Sequence, residues 1–143
     1  MFTKQVCIFL ENRKGRLADV TKLLGDEGVN IRALSLADMA DLGVLRLIVN
    51  DRERCVRVLK AGGFGVQETD VVAAEIDDKP GGLHRIIQVL DEGGVNIEYM
   101  YTFFEKNSDK AIVVLKINDA ARAMDVMTQN GIRVLADNVI QDL

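Results

Sequence analysis

One histidine limits what this chain can catalyse. His84 is the only imidazole among 143 residues, so every triad or proton relay built on histidine must run through it. Its neighbours Leu83 and Arg85 offer no nucleophile. Its place after Pro80-Gly81-Gly82-Leu83 puts it in the first turn of a helix, either exposed or at the rim of a ligand site. Cys7 and Cys55 lie far apart inside apolar elements and read as small core residues, not as a disulfide or metal pair. Metal-carrying modules of the fold assigned below place Cys-x-x-Cys in the first loop, and cysteine is missing from both such loops. Asp77-Asp78 can touch a cation, but adjacent carboxylates at a strand end are more often simply solvated. Gly62-Gly63-Phe64-Gly65 resembles part of a dinucleotide fingerprint in the wrong order: it follows a helix and precedes a strand, whereas a phosphate cradle runs strand, glycine loop, helix. The expectation is a chain with no catalysis, no metal and no cofactor.

Two glycine loops remain. They read Glu11-Asn12-Arg13-Lys14-Gly15-Arg16-Leu17 and Asp77-Asp78-Lys79-Pro80-Gly81-Gly82-Leu83. Each joins a strand to a helix. Glycine lets the backbone approach a ligand, and the helix start offers free N–H groups and a partial positive charge that suit a carboxylate. The same spacing also suits a tight turn with no ligand. The first loop is basic through Arg13, Lys14 and Arg16 and favours a carboxylate. The second sets Asp77 and Asp78 against Lys79, disfavours a carboxylate and suits an ammonium.

These loops are corresponding parts of an internal repeat. Gly28-Val29-Asn30-Ile31 recurs as Gly94-Val95-Asn96-Ile97, with Gly15, Leu17 and Leu24 matched by Gly81, Leu83 and Leu90 at the same offset. Asn50-Asp51 recurs as Asn118-Asp119, and Gly63 as Gly131, two residues further on. The copies are residues 1–69 and 70–143. In each, a period-two strand leads into a helix with leucines on one face, closed by glycine. Two strands follow, the first pair being Ile31 to Ala37 and Val44 to Val49. An Asn-Asp pair then caps a second helix, and Val66 begins a last short strand. The order β-α-β-β-α-β is that of ferredoxin-like folds. The fold class is therefore α+β: two ferredoxin-like modules side by side, forming a continuous antiparallel sheet with helices on one face.

Composition narrows the partners. A net charge of −4 and a pI near 5.0 speak against nucleic acid, which needs a concentrated positive field. RNA-recognition modules of this fold stack bases on paired aromatics; here Phe9 is the only aromatic in the first and third strands of either copy. No apolar run approaches the ~18 residues of a membrane helix, and the N-terminus lacks a signal-peptide layout. A cytoplasmic location is expected, with no nucleic-acid or membrane partner.

The loops Asn12-Arg13-Lys14-Gly15-Arg16-Leu17 and Asp78-Lys79-Pro80-Gly81-Gly82-Leu83, with both Gly-Val-Asn-Ile segments, resemble the ACT domain family. Its loop typically reads Asn-Arg-Pro-Gly; here Lys14 stands at the proline position, and Asp78 and Lys79 stand at the asparagine and arginine positions. The resemblance covers the chain twice, as in a free-standing tandem ACT protein with no catalytic domain. It implies a regulatory protein that binds a small molecule, with an amino acid the expected ligand; the alternative is an interaction scaffold of the same fold that has lost its ligand. It also implies that one module's loop works with another's asparagine: Asn12 to Leu17 with Asn96 and Ile97, and Asp78 to Leu83 with Asn30 and Ile31.

Alternation finally puts Cys7, Phe9, Val44 and Ile48, with Val71, Ala73, Ile112 and Val114, on the sheet faces away from the helices. Such a face is too apolar to meet water. A homodimer that hides it through a twofold axis is the simplest expectation.

Overall fold

The computed structural model describes residues 2–39, 41–104 and 108–142, so Ala40, in the expected loop between second and third strands, lies outside them. Two compact units centre on Lys4–Thr69 and Asp70–Gln141. The first contains β1 (Thr3–Glu11), α1 (Arg16–Asp26), β2 (Ile31–Met39), β3 (Leu42–Val49) and α2 (Arg52–Ala61). β4 (Gly65–Asp77) leads into the second, which continues with α3 (Gly82–Glu92), β5 (Ile97–Phe104), β6 (Lys110–Ile117), α4 (Ala120–Gln129), β7 (Val134–Leu135) and α5 (Asp137–Asp142).

Both units are ferredoxin-like. In the first, β3 lies between β1 and β2, antiparallel to each, with Ile8 opposite Leu45 and Leu36 opposite Leu45 on the other side. In the second, β6 lies between β4 and β5, and β7 adds to the other edge of β4. Inward side chains of each sheet close on one face of its helices. Val6, Ile8, Leu10, Leu45, Leu47 and Val49 pack with Val20, Leu24, Cys55 and Leu59. Val72, Ala74, Val113, Leu115 and Ile117 pack with Ile86, Leu90, Ala123 and Met127. Burying each large side chain stabilises its unit by roughly 1.5–3 kcal/mol before entropy is set against it.

The repeated motifs have local physical reasons. Asp51 and Asp119 accept the backbone N–H of Arg54 and Arg122 at 3.1 Å, capping α2 and α4. The asparagines beside them do something sequence reasoning missed. Asn50 Oδ1 accepts the N–H of Asn30 at 2.8 Å, and Asn118 Oδ1 accepts that of Asn96 at 3.1 Å. The Asn-Asp and Gly-Val-Asn-Ile segments recur together because they are bonded to one another.

Two expectations are corrected. The short strand expected at Val66 and the one expected to open the second copy are a single strand of 13 residues, Gly65–Asp77. Its stretch Gln67-Glu68-Thr69-Asp70 has no apolar alternation, so nothing in the pattern marked it as extended. The sheet faces away from the helices are also not open in the single chain. Cys7, Val44, Ile48, Val71, Ala73, Ile112 and Val114 are all buried there, so they give no reason for a homodimer. The large apolar side chains that are exposed lie elsewhere, among them Leu17, Leu34, Leu36 and Leu42. No described helix is long and apolar enough to cross a membrane.

Val114→Asp should therefore act on folding, not on assembly. A carboxylate at this fully buried position should remove about 3 kcal/mol or more in urea denaturation. Unchanged stability with altered sedimentation would restore the face as an assembly surface.

Candidate functional site

The two glycine loops start their helices by the same device. Gly15 and Gly81 occupy the N-cap positions of α1 and α3 with φ of 94° and 84°, and neither helix start carries a side-chain cap. Side chains with a Cβ resist this left-handed conformation. The first turn's N–H groups consequently begin without a side-chain acceptor. Asp19 N–H bonds Gly15 O at 2.9 Å and Arg85 N–H bonds Gly81 O at 3.1 Å, marking equivalent points in the two copies.

The first loop is tied down at Asn12, whose N–H donates to Asp41 O at 2.9 Å, and Arg13 pairs with Glu11 at 2.9 Å. A cavity of about 80 Å3 lies beside it, lined by Asn12, Arg13, Arg16, Leu17, Leu36 and Gly43 among others. Arg16 is largely covered. Its guanidinium sits 4.6 Å above the centre of the Phe64 ring and 3.8 Å from Asp19.

The second loop shares the left-handed glycine and differs around it. Gly82 stands where the first copy has Arg16, and Ile132 stands where it has Phe64. A Cβ on Gly82 would lie 2.0 Å from Asp77 O, a distance no side chain survives. A cavity of about 250 Å3 opens here, with Lys79, Gly81, Gly82, Arg85, Lys110 and Arg133 in its wall. Asp77 is held by Lys110 and stands 3.7 Å from Lys79. The Lys110 ammonium keeps the Asp77 carboxyl below its ordinary range, and Asp77 raises Lys110 in return. Arg133 pairs with Glu75 at 3.1 Å. The acidic loop expected above thus also meets cations from elsewhere in its unit, Lys110 on β6 and Arg133 before β7.

Among the expected ligand residues, the structure groups Asn12, Arg13, Arg16 and Leu17 in one place and Lys79, Gly81 and Gly82 in another. Lys14, Asp78, Pro80 and Leu83 are exposed around these loops. Asn30 and Asn96 are exposed past the far ends of α1 and α3. Each helix has 11 residues, about 16 Å at 1.5 Å per residue, so neither unit joins its own loop to its own asparagine. Ile31 and Ile97, half-buried, pack against the cores.

Both thiols are covered. Cys7 and Cys55 are free and buried. Burial raises both thiols, Cys55 to about 12 with help from Asp51, while Arg46 partly offsets the rise at Cys7. His84 is exposed on α3. Among the described residues no three His, Cys, Asp or Glu side chains gather as a metal site.

A family model described as "ACT domain pair" matches residues 1–143. The chain belongs to the ACT domain family. This ACT pair is similar to protein BT0572 from Bacteroides thetaiotaomicron: 38% identity, TM-score 0.93, covering 100% of this chain and 98% of that one. The regulatory subunits of aspartate kinase from Thermus thermophilus, in ligand-free form, and Thermus flavus share its fold. Their identities are 15% and 17%, with TM-scores of 0.62 and 0.60. The alignments cover 88% of the ACT pair in both cases and 91% and 90% of those chains. No curated protein matches it.

Two outcomes test this geometry. At pH 8 neither thiol should react with an aromatic disulfide reagent until the protein is unfolded, when both should; rapid native labelling would contradict their burial. Gly82→Ala should destabilise the ACT pair by about 1–3 kcal/mol through overpacking against Asp77 O. A gain of about 1 kcal/mol, the ordinary reward for replacing a helical glycine, would show that the close approach is not there.

Proposed function

We propose that this ACT pair is a non-catalytic, cytoplasmic regulatory protein that binds an amino acid at its glycine loops and passes occupancy on to a partner. The observation that carries the reading is the loop geometry found twice. A left-handed glycine opens a helix without a side-chain cap, beside a cavity and next to cationic side chains. An α-carboxylate answers both the N–H groups and the cations. The scaffold reading leaves this repeated, uncapped start without a use.

The first loop's cavity, at about 80 Å3, is smaller than the ~300 Å3 at which ligand-enclosing pockets begin. Another module, of this chain or a second copy, must supply the missing wall, and the asparagine of Gly-Val-Asn-Ile is the group suited to it because its amide both donates and accepts. Exposed Leu17 and Leu36 line this cavity and give a second copy an apolar place to sit. A homodimer formed there replaces the one expected through the sheet faces.

A thermal-shift screen with the common amino acids tests the reading. At 100 times its dissociation constant the right ligand should add about 2.7 kcal/mol of stability. Arg13→Ala together with Lys79→Ala should reduce that gain while leaving the unliganded protein as stable as before, since both side chains are exposed. No response to any amino acid would favour the scaffold.

A further inference from the structure

The Gly-Val-Asn-Ile segments are fixed almost throughout. Val29 and Val95 are buried, and their N–H groups donate to Leu24 O and Leu90 O at 2.9 and 3.0 Å. Ile31 and Ile97 pack against the cores. The asparagine between valine and isoleucine is held by two bonds to a single residue. In the first unit Asn30 N–H donates to Asn50 Oδ1 at 2.8 Å, and Asn50 N–H donates to Asn30 O at 3.1 Å. In the second, Asn96 N–H donates to Asn118 Oδ1 at 3.1 Å, and Asn118 N–H donates to Asn96 O at 3.3 Å.

These bonds add one more step to an antiparallel ladder. Ile31 stands opposite Val49 and Ile97 opposite Ile117, so Asn30 with Asn50 and Asn96 with Asn118 are the next pairs out. A hydrogen-bonded ladder pair exchanges two backbone bonds. Here the chain turns at Asn50 and Asn118 toward Asp51 and Asp119, the caps of α2 and α4. A side-chain Oδ1 takes the place of the carbonyl that a continuing strand supplies. Asparagine provides that acceptor without a second carboxylate beside the capping aspartate.

The pairing holds only the backbone of Asn30 and Asn96. Both residues are exposed, and neither side-chain amide has a hydrogen-bond partner among the described residues. The same combination, a doubly tied backbone under an unengaged amide, stands in both copies. A strand end needs the tie alone; a binding group needs the tie and the open amide together.

We propose, on the footing of the amino-acid sites above, that Asn50 and Asn118 are positioning residues for those sites. Each holds the ligand-contacting asparagine of its own unit, Asn30 or Asn96. The amide then meets the ammonium and carboxylate of the amino acid with little freedom left to lose. Neither positioning residue touches the amino acid itself.

Calorimetry on the full chain with each common L-amino acid in turn tests this. Asn50→Ala and Asn118→Ala should each weaken one binding step by about tenfold, the loss expected when a bond to a charged group is misplaced. Asn50→Asp and Asn118→Asp keep an oxygen at the same reach and should recover most of the affinity. Asn50→Ser and Asn118→Ser, whose hydroxyl falls one bond short, serve if alanine does not fold. Coupling separates positioning from a general loosening. With Asn30→Ala already present, Asn50→Ala should weaken binding almost no further, because the group it positions is gone; Asn118→Ala should behave likewise beside Asn96→Ala. Additive losses overturn the proposal, as does unchanged affinity in both alanine variants. In either case binding by the unmodified chain leaves the proposed function standing. No binding of any amino acid by the unmodified chain removes both.

Discussion

The backbone of Gly82 passes so close to Asp77 O that no side chain fits there. That close approach shapes the second unit. It draws the end of β4 against the start of α3, holds Asp77 where Lys110 reaches it, and leaves open the volume that Arg16 fills in the first unit. The same turn with a Cβ-bearing residue gives a stacked arginine, a covered guanidinium and a small cavity. Duplication supplied two copies of one turn, and the residue after the left-handed glycine, Arg16 in one and Gly82 in the other, makes them chemically different.

The shared backbone rests on equally local causes. Left-handed glycines open α1 and α3, aspartates cap α2 and α4, and an asparagine beside each aspartate ties the start of the second helix to the start of the second strand. Membership in the ACT family follows from this order of elements together with the match over the whole chain. The proposed function rests on narrower ground: cations beside helix starts that carry no side-chain cap.

Much of this was legible in the sequence. The matched Gly-Val-Asn-Ile segments and the period-two strands around Ile8 and Leu47 gave the fold, because one-face burial imposes patterns that survive duplication. Asp51 and Asp119 announced their helices by type and position. The rest was illegible for physical reasons. Gln67 to Asp70 form a strand without an apolar face, held by backbone pairing that leaves no pattern in side-chain type. Val114 and its companions were read as an outer face because alternation tells two sides of a strand apart but not which of them water reaches. The cations that stand beside the second loop, Lys110 and Arg133, could not be read with it because they come from 28 and 51 residues beyond Gly82. Only folding brings them to it.

The central claim is that one module, used twice, presents two unequal binding loops. Amide NMR of the full chain during an amino-acid titration tests it most directly. The account predicts that the amides of Asn12 to Leu17 and of Asp78 to Leu83 move, and that the two sets reach their end points at different ligand concentrations. Identical titration curves for both loops, or movement confined to residues outside them, would contradict it.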